Sequence, residues 1–200
     1  MLKITDIKQQ VKRQDRYSIF IDDKYSFSLS ENELMKSGIR LNREYTTTEL
    51  EQLKQTAVLD KAYMRSLDML SRRARSEWEL RDYLRRKDNE SEIIDQIITR
   101  LKRLQYIDDY IFAKAWVDNR RLLKATSKRK LSQELKQKRV EQSVIDGVLA
   151  DDETDELAVI RELIAKKRTQ SRYQDDQKLI AYLLRQGFSY SDVKEAMKLG

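Results

Sequence analysis

Ser76-x-x-Glu79-Leu80-x-x-Tyr83-Leu84-x-x-Lys87, followed by Ile93-Ile94-Asp95 and Ile97-Ile98, returns later in the chain. The second copy reads Ser127-x-x-Lys130-Leu131-x-x-Glu134-Leu135-x-x-Lys138-x-Val140, then Val144-Ile145-Asp146 and Val148-Leu149. The offset of 51 holds without a gap from the serine to the last apolar residue. A third copy, a further 48 residues on, sets Leu179, Leu183 and Phe188 over Leu131, Leu135 and Val140, and Val193 and Met197 over Ile145 and Leu149. Self-similarity at such a period means stacked supersecondary units, each with an apolar face that needs a neighbour.

Working outward from the repeat, helix signals recur in threes. Leu59 to Arg72 predicts a first helix, Ser76 with Glu79 a capping box that opens a second, and Asn89 with Glu92 the same for a third. Ile93, Ile97, Leu101 and Leu104 continue that third helix at core spacing, and Phe112, Ala113, Trp116 and Val117 mark a buried face in the second copy. Gly187 stands where a helix C-terminal cap is expected, and Ser189 with Asp192 starts the last helix. The expected fold is mainly α: nine helices in three tandem three-helix repeats forming an elongated array.

The first sixty residues read differently. Tyr17-Ser18-Ile19-Phe20-Ile21 and Tyr25-Ser26-Phe27-Ser28-Leu29 predict a β-hairpin turned at Asp22-Asp23-Lys24, with Leu2, Ile4 and Ile7 as a third strand. Short helices are expected over Glu31 to Lys36 and Thr48 to Ala57. The domain boundaries that follow are 1–58 for this β-containing module, then 59–107, 108–152 and 153–200 for the repeats. The module carries no chemical motif, so its removal up to residue 57 is expected to leave the repeats folded.

Composition narrows the chemistry. The chain has no Pro, four Gly and 38% charged residues, which suits helices joined by short polar turns. It has no Cys and no His, so thiolate sites, the usual general base and the commonest nitrogen ligand are missing. The acidic doublets Asp22-Asp23, Asp108-Asp109, Asp151-Asp152 and Asp175-Asp176 fall at turns or helix starts, where free backbone donors favour carboxylates. No catalytic residue, metal site or cofactor is expected. No apolar run approaches the ~20 residues that span a bilayer. The opening Met1-Leu2-Lys3-Ile4-Thr5-Asp6 lacks a signal-peptide core, so a cytoplasmic protein without membrane association is expected.

The net charge of +7 is concentrated in one window. Residues 120–139 hold Arg120, Arg121, Lys124, Lys128, Arg129, Lys130, Lys136, Lys138 and Arg139 against Glu134 alone, which marks a polyanion site or an acidic partner surface. A second candidate group is Arg72, Arg73 and Arg75 with Trp78, Arg81 and Arg85. Two readings of Trp78 stand side by side: an outward interface residue among arginines, or a ring buried against the amino-terminal module. Tyr106, Tyr173, Tyr182 and Tyr190 are read as core rather than as stacking platforms.

Arg73-x-Arg75-Ser76-x-x-Glu79-Leu80 with Leu84, Ile107-Asp108-Asp109-x-x-Phe112-Ala113, and Leu131-x-x-Glu134-Leu135-x-x-Lys138-x-Val140 together resemble the RecX family of recombinase regulators. Ile19-x-Ile21-Asp22 with Tyr25-x-Phe27 is similar to the β-containing leader of its longer members, so the resemblance covers essentially the whole chain. The chain departs from the family at Ala74, where Pro is common, and at Ser127 and Arg139, where Gly is common. The resemblance implies a non-enzymatic modulator of DNA repair and the SOS response. Such a protein binds the RecA recombinase filament over its single-stranded DNA, acts as a monomer, and suppresses ATP hydrolysis, strand exchange and co-protease activity. The residues leave two other classes open, a DNA-binding protein with helix-turn-helix-like repeats and a helical adaptor. The localised charge speaks against the adaptor.

Overall fold

Asp22 and Asp23 both adopt positive φ, 46° and 63°, the conformation of a two-residue type I′ turn whose twist matches that of the strands it joins. The computed structural model describes residues 2–198. The aspartates link strand β2 (Arg16–Ile21) to β3 (Lys24–Ser30), and β1 (Leu2–Gln9) pairs antiparallel along the other side of β2. A two-residue strand β4 (Glu44–Tyr45), unforeseen in the sequence, completes the order β3-β2-β1-β4. Helix α1 (Glu31–Ser37) starts on the Ser30 cap and stops at Gly38 in the left-handed region.

The two helices expected over 48–57 and 59–72 are one helix, α2 (Thr47–Arg72). Thr46 and Glu49 form the capping box at its start, and no Gly or Pro interrupts it. Its first turns complete the sheet's core, where Ile4, Ile19, Phe27 and Leu29 pack with Leu50 and Ala57. Farther along, buried Asp60 binds buried Arg16 of β2 at 3.1 Å. The boundary expected between 58 and 59 is therefore corrected: it falls inside a continuous helix whose first half belongs to the sheet's core.

The remaining helices follow the expected triplets: α3 (Glu77–Arg85) and α4 (Ser91–Arg103); α5 (Asp109–Leu123), α6 (Lys128–Gln137) and α7 (Gln142–Ala150); α8 (Glu156–Arg168), α9 (Asp176–Arg185) and α10 (Tyr190–Lys198). No strand follows β4 among the described residues. The repeat register holds in three dimensions. Leu80, Leu131 and Leu179 are fully buried, as are Leu84, Leu135 and Leu183 and also Ile145 and Val193, and Ile94 is nearly so. Ser76 caps α3 as expected, with Glu79 reaching back to its backbone N–H. Asn89 does not cap α4. Its side chain donates instead to the Leu84 carbonyl, closing the end of α3, and Glu90 takes the cap position without a side-chain bond.

The second helix of every repeat ends alike. Asp88 (φ 57°), Arg139 (φ 56°) and Gly187 (φ 91°) occupy the left-handed position after it. The next residue's N–H returns to the carbonyl of Leu84, Leu135 or Leu183, the Schellman arrangement. A side chain in this conformation is strained, and Arg139 is exposed. Arg139→Gly is expected to raise unfolding stability by about 0.5–1 kcal/mol, the relieved strain outweighing the entropy gained by the unfolded chain. Urea denaturation midpoints would show it, and a lower midpoint would refute it.

The chain divides into two compact units. One is the chain up to Ala74 with Arg81–Tyr106, and the other is Arg75–Leu80 with the chain from Ile107 onward.

Candidate functional site

Inside the second unit, the start of one repeat's second helix docks on the following repeat, and it does so twice with the same parts. Ser76 Oγ accepts the Glu79 N–H and donates to the Lys138 carbonyl at 2.9 Å. Ser127 Oγ accepts the Lys130 N–H and donates to the Gln186 carbonyl at 2.8 Å. Each joint adds a side-chain pair at equivalent positions, Glu79 with Lys138 Nζ at 2.9 Å and Lys130 Nζ with Gln186 Oε1 at 2.8 Å. Each also seats the first helical N–H on a carboxylate from the next repeat, Glu77 on Asp109 and Lys128 on Glu156. Helix N-termini offer unpaired donors and a positive dipole end, so a carboxylate there satisfies both.

These joints absorb much of the basic window. Arg121 is nearly buried and binds Asp152 at 2.5 Å, and it donates to the Thr126 carbonyl. Lys128 Nζ donates to the Asp152 carbonyl at 2.6 Å. Arg120 binds Glu134 at 2.7 Å, which also accepts from Trp116 Nε1. Arg120 and Lys138 lie over the Trp116 ring, 4.7 and 5.2 Å from its centroid. Burial works to raise the Asp152 carboxyl, but the hydrogen bonds from Arg121 and Thr154 hold it below the ordinary carboxylate range. The Arg121 anchor therefore contributes stability above the unfolded carboxylate pKa of about 3.9, and loses it as pH falls through the lower folded value.

Lys124, Arg129, Lys136 and Arg139 are exposed, and their cationic groups form no ion pair among the described residues. Arg129 and Lys136, seven residues apart, share the face of α6 opposite Leu131 and Leu135. Sequence reading counted nine equal cations. The fold divides them into five that hold the joints and the Trp116 cluster and four that face solvent.

The second candidate group is used differently. Arg72 is exposed and pairs with Asp68 at 2.9 Å, and Arg73 donates to the Ala74 carbonyl. Arg75 is half-buried. Trp78 keeps 37% of its surface exposed. Arg81 is held by Asp95 at 2.6 Å, and Arg85 is exposed. Tyr173 and Tyr182 pack together on the third repeat's core, whereas Tyr106 and Tyr190 are more than half exposed, against the core reading. Sequence reading also missed Leu122 and Leu123, which project at 84% and 68% exposure from the end of α5. Their pattern offered no signal, since adjacent leucines at a helix end read as core.

Against known families, residues 2–45 match the regulatory protein RecX N-terminal domain. Residues 62–101, 108–149 and 153–197 match the first, second and third three-helix domains of RecX. The chain is 33% identical over 202 residues to the regulatory protein RecX of Listeria monocytogenes, covering 98% of this chain and 74% of that protein. It is 32% identical to the one from Halalkalibacterium halodurans, covering 98% and 77%. A crystal structure of regulatory protein RecX superposes with a TM-score of 0.74 at 28% identity, across 98% of this chain and all of that one. The crystal structure of RecX from Lactobacillus salivarius, at 23% identity, shares the fold with a TM-score of 0.64 over 70% of this chain and 94% of its own.

Proposed function

Because the chain belongs to the RecX family of regulatory proteins, we propose that it binds the RecA–DNA filament and lowers its ATPase, strand-exchange and co-protease activities. It acts by occupancy, in the cytoplasm, with no catalytic step of its own. The observation that carries this reading is the solvent-facing set Lys124, Arg129, Lys136 and Arg139, on and just beyond α6, whose start is held by Ser127 and whose end is held by Ser76 on the Lys138 carbonyl. Such a set supplies salt-sensitive attraction to phosphates or acidic protein, while the contacts of successive repeats add selectivity for the assembled filament.

The test separates filament regulation from simple DNA binding. Reversing Lys124, Arg129, Lys136 and Arg139 to Glu changes local charge by eight units and leaves Arg121 and Lys128 in their joints. Wild-type protein is expected to inhibit the ATPase of RecA filaments at concentrations where it binds bare single-stranded DNA poorly. The variant should lose inhibition by at least about tenfold with its thermal transition kept. Equal affinity for bare DNA and filament would favour the DNA-binding reading. Unchanged inhibition by the variant would exclude this face.

A further inference from the structure

The groove beside α5 and α8, of about 480 Å³, joins apolar and cationic side chains in one lining. One wall is the exposed pair Leu122 and Leu123, and the floor is Val159, Leu163 and Tyr182 of the third repeat's core. Its cationic side chains are Arg121, Lys124, Lys130, Lys166 and Lys167, against two carboxylates, Glu134 and Glu162. Glu134 is already taken by Arg120. The leucines are not on a frayed end. Arg121 is locked to Asp152 and to the Thr126 carbonyl on the far side of the turn, and the Lys124 N–H closes on the Arg120 carbonyl at 2.8 Å. Two large aliphatic side chains thus project beside a nearly buried ion pair that fixes the end of α5. Adjacent apolar surface rimmed by charge marks an interaction site.

We propose that this groove receives an acidic segment of the protein partner that presents aliphatic side chains. Leu122 and Leu123 cover those side chains, while Lys124, Lys166 and Lys167 meet its carboxylates. Charge complementarity selects this occupant. A second copy of the same chain would set these lysines against their own equivalents. Nucleic acid fits the lysines but not the leucines, since bases stack on free aromatic rings. The aromatic ring here, Tyr182, is already engaged by Lys167 at 4.9 Å and by Tyr173 at 5.2 Å. The proposal rests on the filament reading for the partner's identity and on the groove alone for its chemistry.

The experiment uses the full chain and two fluorescein-labelled probes. One is a Glu-rich helical peptide with a leucine face, and the other is its twin with every leucine replaced by serine. Anisotropy titrations should give the leucine probe at least about tenfold tighter binding than its equally charged twin. That preference should vanish in a Leu122→Ser/Leu123→Ser variant whose circular dichroism melt matches wild type. Equal binding of both probes, or a preference that survives in the variant, overturns the groove and leaves filament regulation standing. Displacement of the leucine probe by oligo-dT, with oligo-dT affinity falling in the same variant, assigns the groove to nucleic acid instead. In the filament ATPase assay the variant should lose inhibition, and inhibition unchanged from wild type overturns the partner's assignment to the filament protein. A wild type that never inhibits would sink the filament reading alone, with the probe result intact.

Discussion

Asp60→Ala is expected to cost the first unit about 3–5 kcal/mol, because it strands a buried guanidinium. Arg16 and Asp60 side chains are each 5% exposed and lie 3.1 Å apart. Asp60 also accepts the Ser30 N–H at 2.8 Å and the Ser30 hydroxyl at 2.6 Å. Arg16 donates to the Ser28 carbonyl at 2.9 Å. Alanine at 60 leaves the Arg16 charge uncompensated and a buried backbone donor without its acceptor, and both penalties act together. The double change Arg16→Met/Asp60→Leu removes both charges and should recover most of the loss. Urea denaturation of the two variants beside wild type reads the difference. A single variant within about 1 kcal/mol of wild type would mean that water reaches the pair and that the sheet is not locked to α2 in this way.

Gly187→Ala should destabilise the joint between the second and third repeats by about 2–4 kcal/mol. The φ of +91° alone disfavours any side chain, by about 1–2 kcal/mol. A Cβ there would also sit 2.4 Å from Ser127 Oγ and 3.4 Å from the Lys130 nitrogen. Ser127 would have to leave its place, giving up its cap on α6 and its bond to the Gln186 carbonyl, a further loss of about 1–2 kcal/mol. The clash makes the effect non-additive. In a Ser127→Gly background the cap is already gone, and Gly187→Ala should cost only the backbone strain, at least about 1 kcal/mol less than in wild type. Hydrogen exchange of α6 and α9 amides localises the change. Additive effects would show that Ser127 is not the atom in the way.

The repeat and its core were readable from the chain because burial follows a period. Leu131 and Leu135 recur at offsets of 51 and 48 from their counterparts, and each copy is buried. The turn at Asp22-Asp23 and the stop at Gly187 were readable because they are decided by the backbone preferences of one or two residues. The boundary between 57 and 59 was not. Nothing local distinguishes a helix that ends there from one that continues, and α2 runs through because the sheet and the first repeat bury different turns of it. A two-residue strand such as Glu44–Tyr45 lacks the length to show a period.

The candidate surface divides in the same way. Sequence alone located the charge, since nine cations within residues 120–139 is a matter of counting. Only the tertiary structure decided which of them remain available. Arg121 and Arg129 are the same residue type eight positions apart, yet one is held by Asp152 and the other faces water. Those partners lie far along the chain, 31 residues for Arg121 with Asp152 and 59 for Lys138 with Glu79. An ion pair depends on distance in space, with an energy set by burial. Periodicity records which face of a helix turns inward, but it carries no information on which groups from other repeats arrive opposite it.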